Sequence, residues 1–317
     1  MKKLWILILV ILSIGLYACD KDEAPNEVNI YLPDGTPALA MANLLDEGFD
    51  YEGTKTNVHI VAASEIAARV SQESCDIAIM PTTAAAQLFH RGIELQLASV
   101  NVFGNLYITG TKETSSLEDL KGKVVLTTAA TTIQMVKYIL DGVNVPYEES
   151  GSPVEGKVAL SSTSDASEII PRLKQAMTKE EELYGVLGEP QVTKAQGAIS
   201  GLKINFDLQQ EYKSLTGFDG YPQACLVVKN ALSAKYPKYM EALLSKLTNN
   251  EAYLNANLEK LPKVFEAYES NLANMSFTAD TIQRCNLRIV LSRDVMDSVK
   301  QYVKELAKIE LTDAFFL

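Results

Sequence analysis

The sequence predicts an α/β protein of two lobes, joined by two crossover strands and closed by a helical C-terminal tail packed on the first lobe. Three observations carry this. Short apolar runs alternate with helical patterns from Val28 onward. The alternation breaks at a glycine-bracketed strand, Leu106–Thr109, and restarts at "SLEDLKGKVVLTT". From Ser233 to Ile309 the pattern is helical, with no convincing strand. Strand–helix alternation at this spacing is the mark of βαβ units and a parallel sheet.

Met1-Lys2-Lys3 is a basic start, and Leu4 to Leu16 is an apolar run too short for an ordinary membrane span but of the size of a signal core. It ends in Leu16-Tyr17-Ala18-Cys19 and a polar stretch. This resembles a bacterial lipobox. The resemblance implies a signal peptide over 1–18, lipidation of Cys19 and a tether over 19–27; an ordinary signal peptide is the alternative. Cleavage there takes Lys2 and Lys3 away and moves the formal charge from −11 to −13. Such an acidic balance argues against a nucleic-acid surface, which needs clustered Lys and Arg.

Val28–Leu32 reads as the first strand. The turn Asp34-Gly35-Thr36-Pro37 follows, and a helix runs to about Glu47. Pro37 suits a first helical position, where a missing N–H costs nothing. Val58–Ala63 is the second strand, with Ser64 and Glu65 able to cap the next helix. Asp76–Met80, "DIAIM", is a short apolar run fit for a buried parallel strand, ended by Pro81-Thr82-Thr83. Leu95–Val100 is the fourth strand, and Phe103-Gly104-Asn105 leads into the fifth.

Ser116 with Glu118 and Asp119 has the form of a helix start. Lys123–Leu126 begins the second set of strands and opens into a threonine turn that includes Thr128 and Thr131. Gly156–Leu160 is followed by Ser161-Ser162-Thr163. Tyr184–Leu187 runs into Gly188-Glu189-Pro190, and Tyr221–Asn230, "YPQACLVVKN", is a returning strand. The expected crossings lie near Ile108–Gly110 and near Tyr221–Ala224. That gives lobe 1 over 28–108 and 224–317, and lobe 2 over 109–223.

The blocks "DGTPALAMANLL", "CDIAIMPTTAAAQLF", "LYITG", "SLEDLKGKVV", "YGVLGEPQVTK" and "YPQACLVVKN" resemble, in order and spacing, the type II periplasmic binding proteins. More narrowly, they resemble the ABC-transporter solute-binding proteins for nitrate, taurine, alkanesulfonates and thiamine-precursor pyrimidines. The resemblance implies a ligand held in a cleft between hinged lobes. It also implies an ABC permease with its ATPase as partner, and an extracytoplasmic place at the cell membrane through the lipid on Cys19. A ligand-sensing lipoprotein and an enzyme on the same fold, of the pyrimidine-precursor type, are the alternatives.

In such sheets ligands lie beyond the C-terminal strand ends. The candidate ligand-binding residues are therefore Asp34, Gly35, Thr36, Pro37, Thr82, Thr83, Phe103, Gly104, Asn105, Thr128, Thr131, Ser162, Glu189 and Tyr221. Threonine hydroxyls and free helix N–H groups fix a small ligand by hydrogen bonds; each also serves as a plain helix cap. Asp34 and Glu189 suit an amine or N-heterocycle, although an Asp here also satisfies its own turn. Phe103, Tyr107 and Tyr221 either stack on a flat ligand or belong to the core. The turns hold no Arg or Lys, so a neutral or cationic heterocycle is expected ahead of an anion.

No metal, cofactor or catalytic residue is expected. His59 and His90 fit no ligand pattern, and HExxH, GxSxG, Walker A and GxGxxG are missing. Cys75, Cys225 and Cys285 read as buried thiols; a Cys75–Cys225 bridge is the alternative. In the tail, Met240, Leu243, Leu244 and Leu247, and later Val295, Val299, Val303 and Leu306, form apolar stripes that suit core packing.

Overall fold

The computed structural model describes residues 24–128, 131–164 and 166–317. Cys19 and the segment before it lie outside the described residues. None of the described helices is long and apolar enough to cross a membrane.

Among the described residues, twelve strands make up two six-stranded sheets. In chain order, β1 (Glu27–Pro33), β2 (Lys55–Val61), β3 (Ile77–Pro81) and β4 (Leu95–Val102) belong to the first sheet. The second takes β5 (Leu106–Gly110), β6 (Val124–Thr128), β7 (Tyr147–Glu149), β8 (Val158–Thr163), β9 (Tyr184–Gly188) and β10 (Lys203–Asp207). The chain then returns with β11 (Ala224–Lys229) and β12 (Leu287–Leu291). The sheet orders are β12-β4-β11-β3-β1-β2 and β10-β5-β9-β6-β8-β7.

β1 is parallel to β2 and β3, while β11 is inserted antiparallel between β3 and β4. β6 is parallel to β8 and β9, and β5 lies antiparallel to β9. The first crossing thus falls at residues 103–105, ahead of the expected Ile108–Gly110, because Leu106–Gly110 already pairs with β9. The second runs over 217–223.

Ile77–Met80 of the "DIAIM" run are buried within β3, as a strand covered on both faces must be, while Asp76 stands just before it and is half-buried. Ser116 and Asp119 form a capping box on a short 3-10 turn, Leu117–Leu120. Ser64 and Glu65 supply no side-chain cap to the helix Ile66–Val70. The helix after β1 is broken into Thr36–Leu39 and Ala42–Glu47.

Three strands depart from the sequence expectation. β10 reads KINFD, a half-polar edge strand, and β7 has three residues. β12 lies inside the segment expected to be wholly helical; its LRIVL runs straight into a helix and pairs with β4 at the sheet edge.

The tail's Met240, Leu243, Leu247, Leu254 and Phe265 join β1, β3 and β11 in one apolar core. Its last helix, Ser292–Ala307, lies on the first lobe with Val295, Val299 and Val303 buried. The same helix also meets the second-lobe helix Thr131–Gly142. Cys75, Cys225 and Cys285 are buried free thiols, so the alternative bridge is not formed.

Candidate functional site

Strands β1, β6 and β9 end facing a common cleft of about 280 Å³ between the lobes. β1 delivers Asp34, Gly35, Thr36 and Pro37; β6 delivers Thr128, with Thr132 beyond it; β9 delivers Gly188, Glu189, Pro190 and Gln191. Asn105 and Gln223, one on each crossing, complete the polar wall, and Val102, Leu106, Val186 and Ala224 contribute apolar surface. Gly35 has φ 92 and ψ −139, a conformation open to glycine and strained for other residues. It lets β1 turn into the helix that carries Thr36.

Thr36 donates its hydroxyl to the Glu189 carbonyl at 2.6 Å. Asn105 Nδ2 donates to both Thr36 Oγ1 and the Glu189 carbonyl at 2.8 Å. The two crossings are tied by a reciprocal amide pair. Gln223 Nε2 donates to Asn105 Oδ1 at 2.9 Å, and the Asn105 backbone N–H donates to Gln223 Oε1 at 3.1 Å. Buried polar atoms of this kind are costly unless paired, so the network fixes the lobes' apposition as well as lining the cleft.

The Glu189 side chain is wholly buried and pairs with Arg284. Arg284 Nε donates to Oε1 at 2.5 Å, and Thr193 donates its backbone N–H and its hydroxyl to the same carboxylate. Arg284 also donates to Thr193 Oγ1, and Tyr107 donates its hydroxyl to the Arg284 carbonyl. Arg284 comes from the first lobe's tail and Glu189 from the second lobe's β9 end. The sequence reading did not single out Arg284; nothing local distinguishes it.

Asp34 sits in the cleft wall with its carboxylate engaged. Oδ1 accepts from Gly35 N and Ser270 Oγ, and Oδ2 accepts from the backbone and side-chain nitrogens of Asn271. The turn is thereby fastened to the tail.

Thus Asp34, Gly35, Thr36, Pro37, Asn105, Thr128 and Glu189 come together in the cleft wall. The others stand apart from it. Thr82 and Thr83 are buried at the start of the helix Thr82–His90. Phe103 lies under the Arg288 guanidinium, whose Cζ is 4.0 Å from the ring centre. Gly104 backs onto Tyr221, and Tyr221 is stacked on Tyr302 in the core with ring centres 5.9 Å apart. Ser162 is exposed on β8. Thr131 opens the helix whose second residue, Thr132, reaches the wall. Thr132 belongs to the threonine turn, residues 127–132, that the sequence placed at the cleft; Gln191 and Gln223 were not singled out, the first following β9 and the second standing directly before β11, and neither carries a local signature.

No family model matches the chain, and no curated protein matches it. Among solved structures, it is similar to an ABC transporter protein from Parabacteroides distasonis. That likeness covers 92% of this chain and 99% of the other, with a TM-score of 0.73 at 20% identity. The periplasmic aliphatic sulphonate binding protein SsuA from Escherichia coli matches over 90% of this chain and 88% of its own, with a TM-score of 0.67 at 11% identity. The periplasmic nitrate-binding protein NrtA from Synechocystis PCC 6803 matches over 80% and 69%, with a TM-score of 0.54 at 14% identity. The fold is therefore the two-lobed type II periplasmic-binding fold. Among the structures that share it are binding proteins for aliphatic sulphonates and for nitrate.

Proposed function

We propose that this chain is an extracytoplasmic solute-binding protein, anchored by a lipid on Cys19, that captures a small organic ligand between its lobes and delivers it to an ABC permease with its ATPase. The observation that supports this best is the interlobe cleft, walled by the C-terminal ends of β1, β6 and β9 and spanned by Thr36, Asn105 and the Glu189 carbonyl. Strand ends of an open α/β sheet are where such folds bind ligands. Walls contributed by two lobes are what closure around a guest requires.

The ligand is neutral or cationic. Glu189 is matched by Arg284, no Lys or Arg among the described residues lines the cleft, and Asp34 adds one negative charge to its wall. An anion entering there meets a carboxylate field and no cation. The fourteen residues proposed from the sequence then divide. Thr36, Asn105, Thr128 and the Asp34–Pro37 turn face the ligand, with Glu189 holding the lobes; the rest support the fold.

Isothermal titration of the chain in detergent against pyrimidines, small amines, alkanesulfonates and nitrate tests this. Saturable binding of a neutral or cationic member supports the reading. Binding of sulfonate or nitrate alone overturns the ligand class, and a chain inert to all of them overturns capture. Palmitate labelling that persists in Cys19→Ser removes the anchor.

A further inference from the structure

Among the described residues, the charged groups in the wall of the cleft, about 280 Å³ in volume, are already engaged by the protein. The Asp34 carboxylate accepts from Gly35 N, from Ser270 Oγ and from the backbone and side-chain nitrogens of Asn271. The Glu189 carboxylate accepts from Arg284 Nε and from the backbone N–H and hydroxyl of Thr193. Thr193 stands in the first turn of the helix Gln191–Ala198, so Glu189 also fills the anion's place at that helix start. Asn105 directs its Nδ2 hydrogens to Thr36 Oγ1 and the Glu189 carbonyl, and its Oδ1 accepts from Gln223.

The groups left over are neutral. Gln191, Thr128 and Thr132 stand in the same wall; their side-chain amide and hydroxyls have no hydrogen-bond partner among the described residues, and none of them is sealed in the core. Gln223 Nε2 gives one hydrogen to Asn105 and keeps another. No aromatic ring lines the cleft among the described residues: Phe103 lies under Arg288, and Tyr221 is stacked on Tyr302. The apolar surface is aliphatic, from Val102, Leu106, Val186 and Ala224. Sites for drug-sized ligands hold roughly 300–1,000 Å³, so the guest here is smaller than those.

A charged guest would leave water for a wall whose charged groups are all engaged, and would lose its hydration without a new partner. A flat guest would find no ring to stack on. Gln191 instead offers an acceptor and donors on one amide, and the group that answers both at once is a second amide with its N–H and C=O on one edge. We infer that the cleft selects a small uncharged aliphatic amide of this form, a lactam or primary carboxamide, and that Gln191 is its specificity-determining residue. Thr128, Thr132 and the remaining Gln223 hydrogen serve the carbonyl's second lone pair, and the aliphatic body lies on Val102, Leu106, Val186 and Ala224. This ligand class rests on the capture function proposed above and narrows its guest to the neutral one.

The probes are 2-piperidone, cyclohexanone, trans-1,2-cyclohexanediol, piperidine and propanesulfonate, titrated calorimetrically into the full-length chain in detergent. 2-Piperidone is expected to bind saturably. Cyclohexanone keeps the ring and the carbonyl but lacks the N–H, and is expected to bind about tenfold or more weakly, the loss of one hydrogen bond. The diol, the cation and the anion are expected to bind more weakly still. Gln191→Glu keeps an acceptor and suits a helix start, and Gln191→Met keeps the length of the side chain. Each is expected to weaken 2-piperidone by about tenfold or more. Gln175→Ala, on an exposed helix face outside the cleft, is expected to leave it unchanged. Binding of 2-piperidone that survives both Gln191 variants, or that any other probe matches, overturns the inference. A chain that ignores 2-piperidone yet binds another of these probes, or a compound of the capture panel, overturns the amide and keeps capture. One that ignores them all overturns both.

Discussion

Glu189 and Arg284 lie 95 residues apart in the chain and meet at 2.5 Å across the two lobes. The carboxylate is fully buried, whereas the guanidinium side chain keeps 26% exposure. Removing the arginine leaves an uncompensated buried charge. Arg284→Ala is therefore expected to cost about 3 kcal/mol, at the low end for a buried pair because Arg284 is partly solvated. The double variant Glu189→Gln/Arg284→Met is expected to cost less than Arg284→Ala alone. A urea-denaturation double-variant cycle measures this, and additive losses would show that the pair is not coupled. Scattering on Arg284→Ala should also show a larger radius of gyration as the lobes part.

Gly104 tests the first crossing. Its φ is +88, and an added Cβ would stand 2.6 Å from Tyr221 Cε1 and 2.7 Å from Gln209 Cγ. Both neighbours are buried and hydrogen-bonded to each other, so neither yields freely. Gly104→Ala combines left-handed backbone strain with overpacking, and about 2–5 kcal/mol of destabilisation follows. A melting temperature within a degree of the parent's would contradict this.

The sheet cores were legible because β1, β3 and β11 are apolar runs bounded by turn residues, a local signal. β10 and β12 were not. KINFD alternates weakly at a polar edge, and LRIVL borders a helix whose own stripe absorbs it. The cleft followed the same division. The turn at Asp34–Pro37 is written in neighbouring residues, but what its carboxylate touches is set by Ser270 and Asn271, far along the chain. Glu189 likewise reads as an open acceptor until the tail brings Arg284 to it. Side-chain partnerships between distant segments leave no periodicity to read.

Asp46 gives a pH signature for the tail's docking. Burial alone would raise its pKa, but hydrogen bonds from Lys260 and from the Tyr253 hydroxyl, at 2.7 Å, outweigh that and bring it below the ordinary value. A carboxyl lowered on folding contributes stability above its unfolded pKa of about 3.9, and that contribution is lost as pH falls through the folded value. Asp46→Asn is therefore expected to cost about 1–2 kcal/mol at pH 7. The difference from the parent should vanish once both carboxyl forms are protonated. Urea midpoints measured across that window check it, and a pH-independent difference would assign the loss to packing.

Asp34 separates ligand contact from fold. Its two oxygens receive four donors: Gly35 N, Ser270 Oγ, Asn271 N and Asn271 Nδ2. A carboxylate has about four lone-pair sites, so an amine ligand finds none free and feels Asp34 through its charge. Asp34→Ala strands those donors and releases the turn from the tail. About 2 kcal/mol of stability should go with it, since the bonds are charge-assisted and partly exposed. Asp34→Asn keeps the shape but removes the charge and turns two acceptor sites into donors facing Asn271 nitrogens, so it should recover only part of the loss. Denaturation midpoints ordered parent, Asn, Ala would bear this out. A variant as stable as the parent, with weakened capture alone, would instead make Asp34 a direct ligand contact.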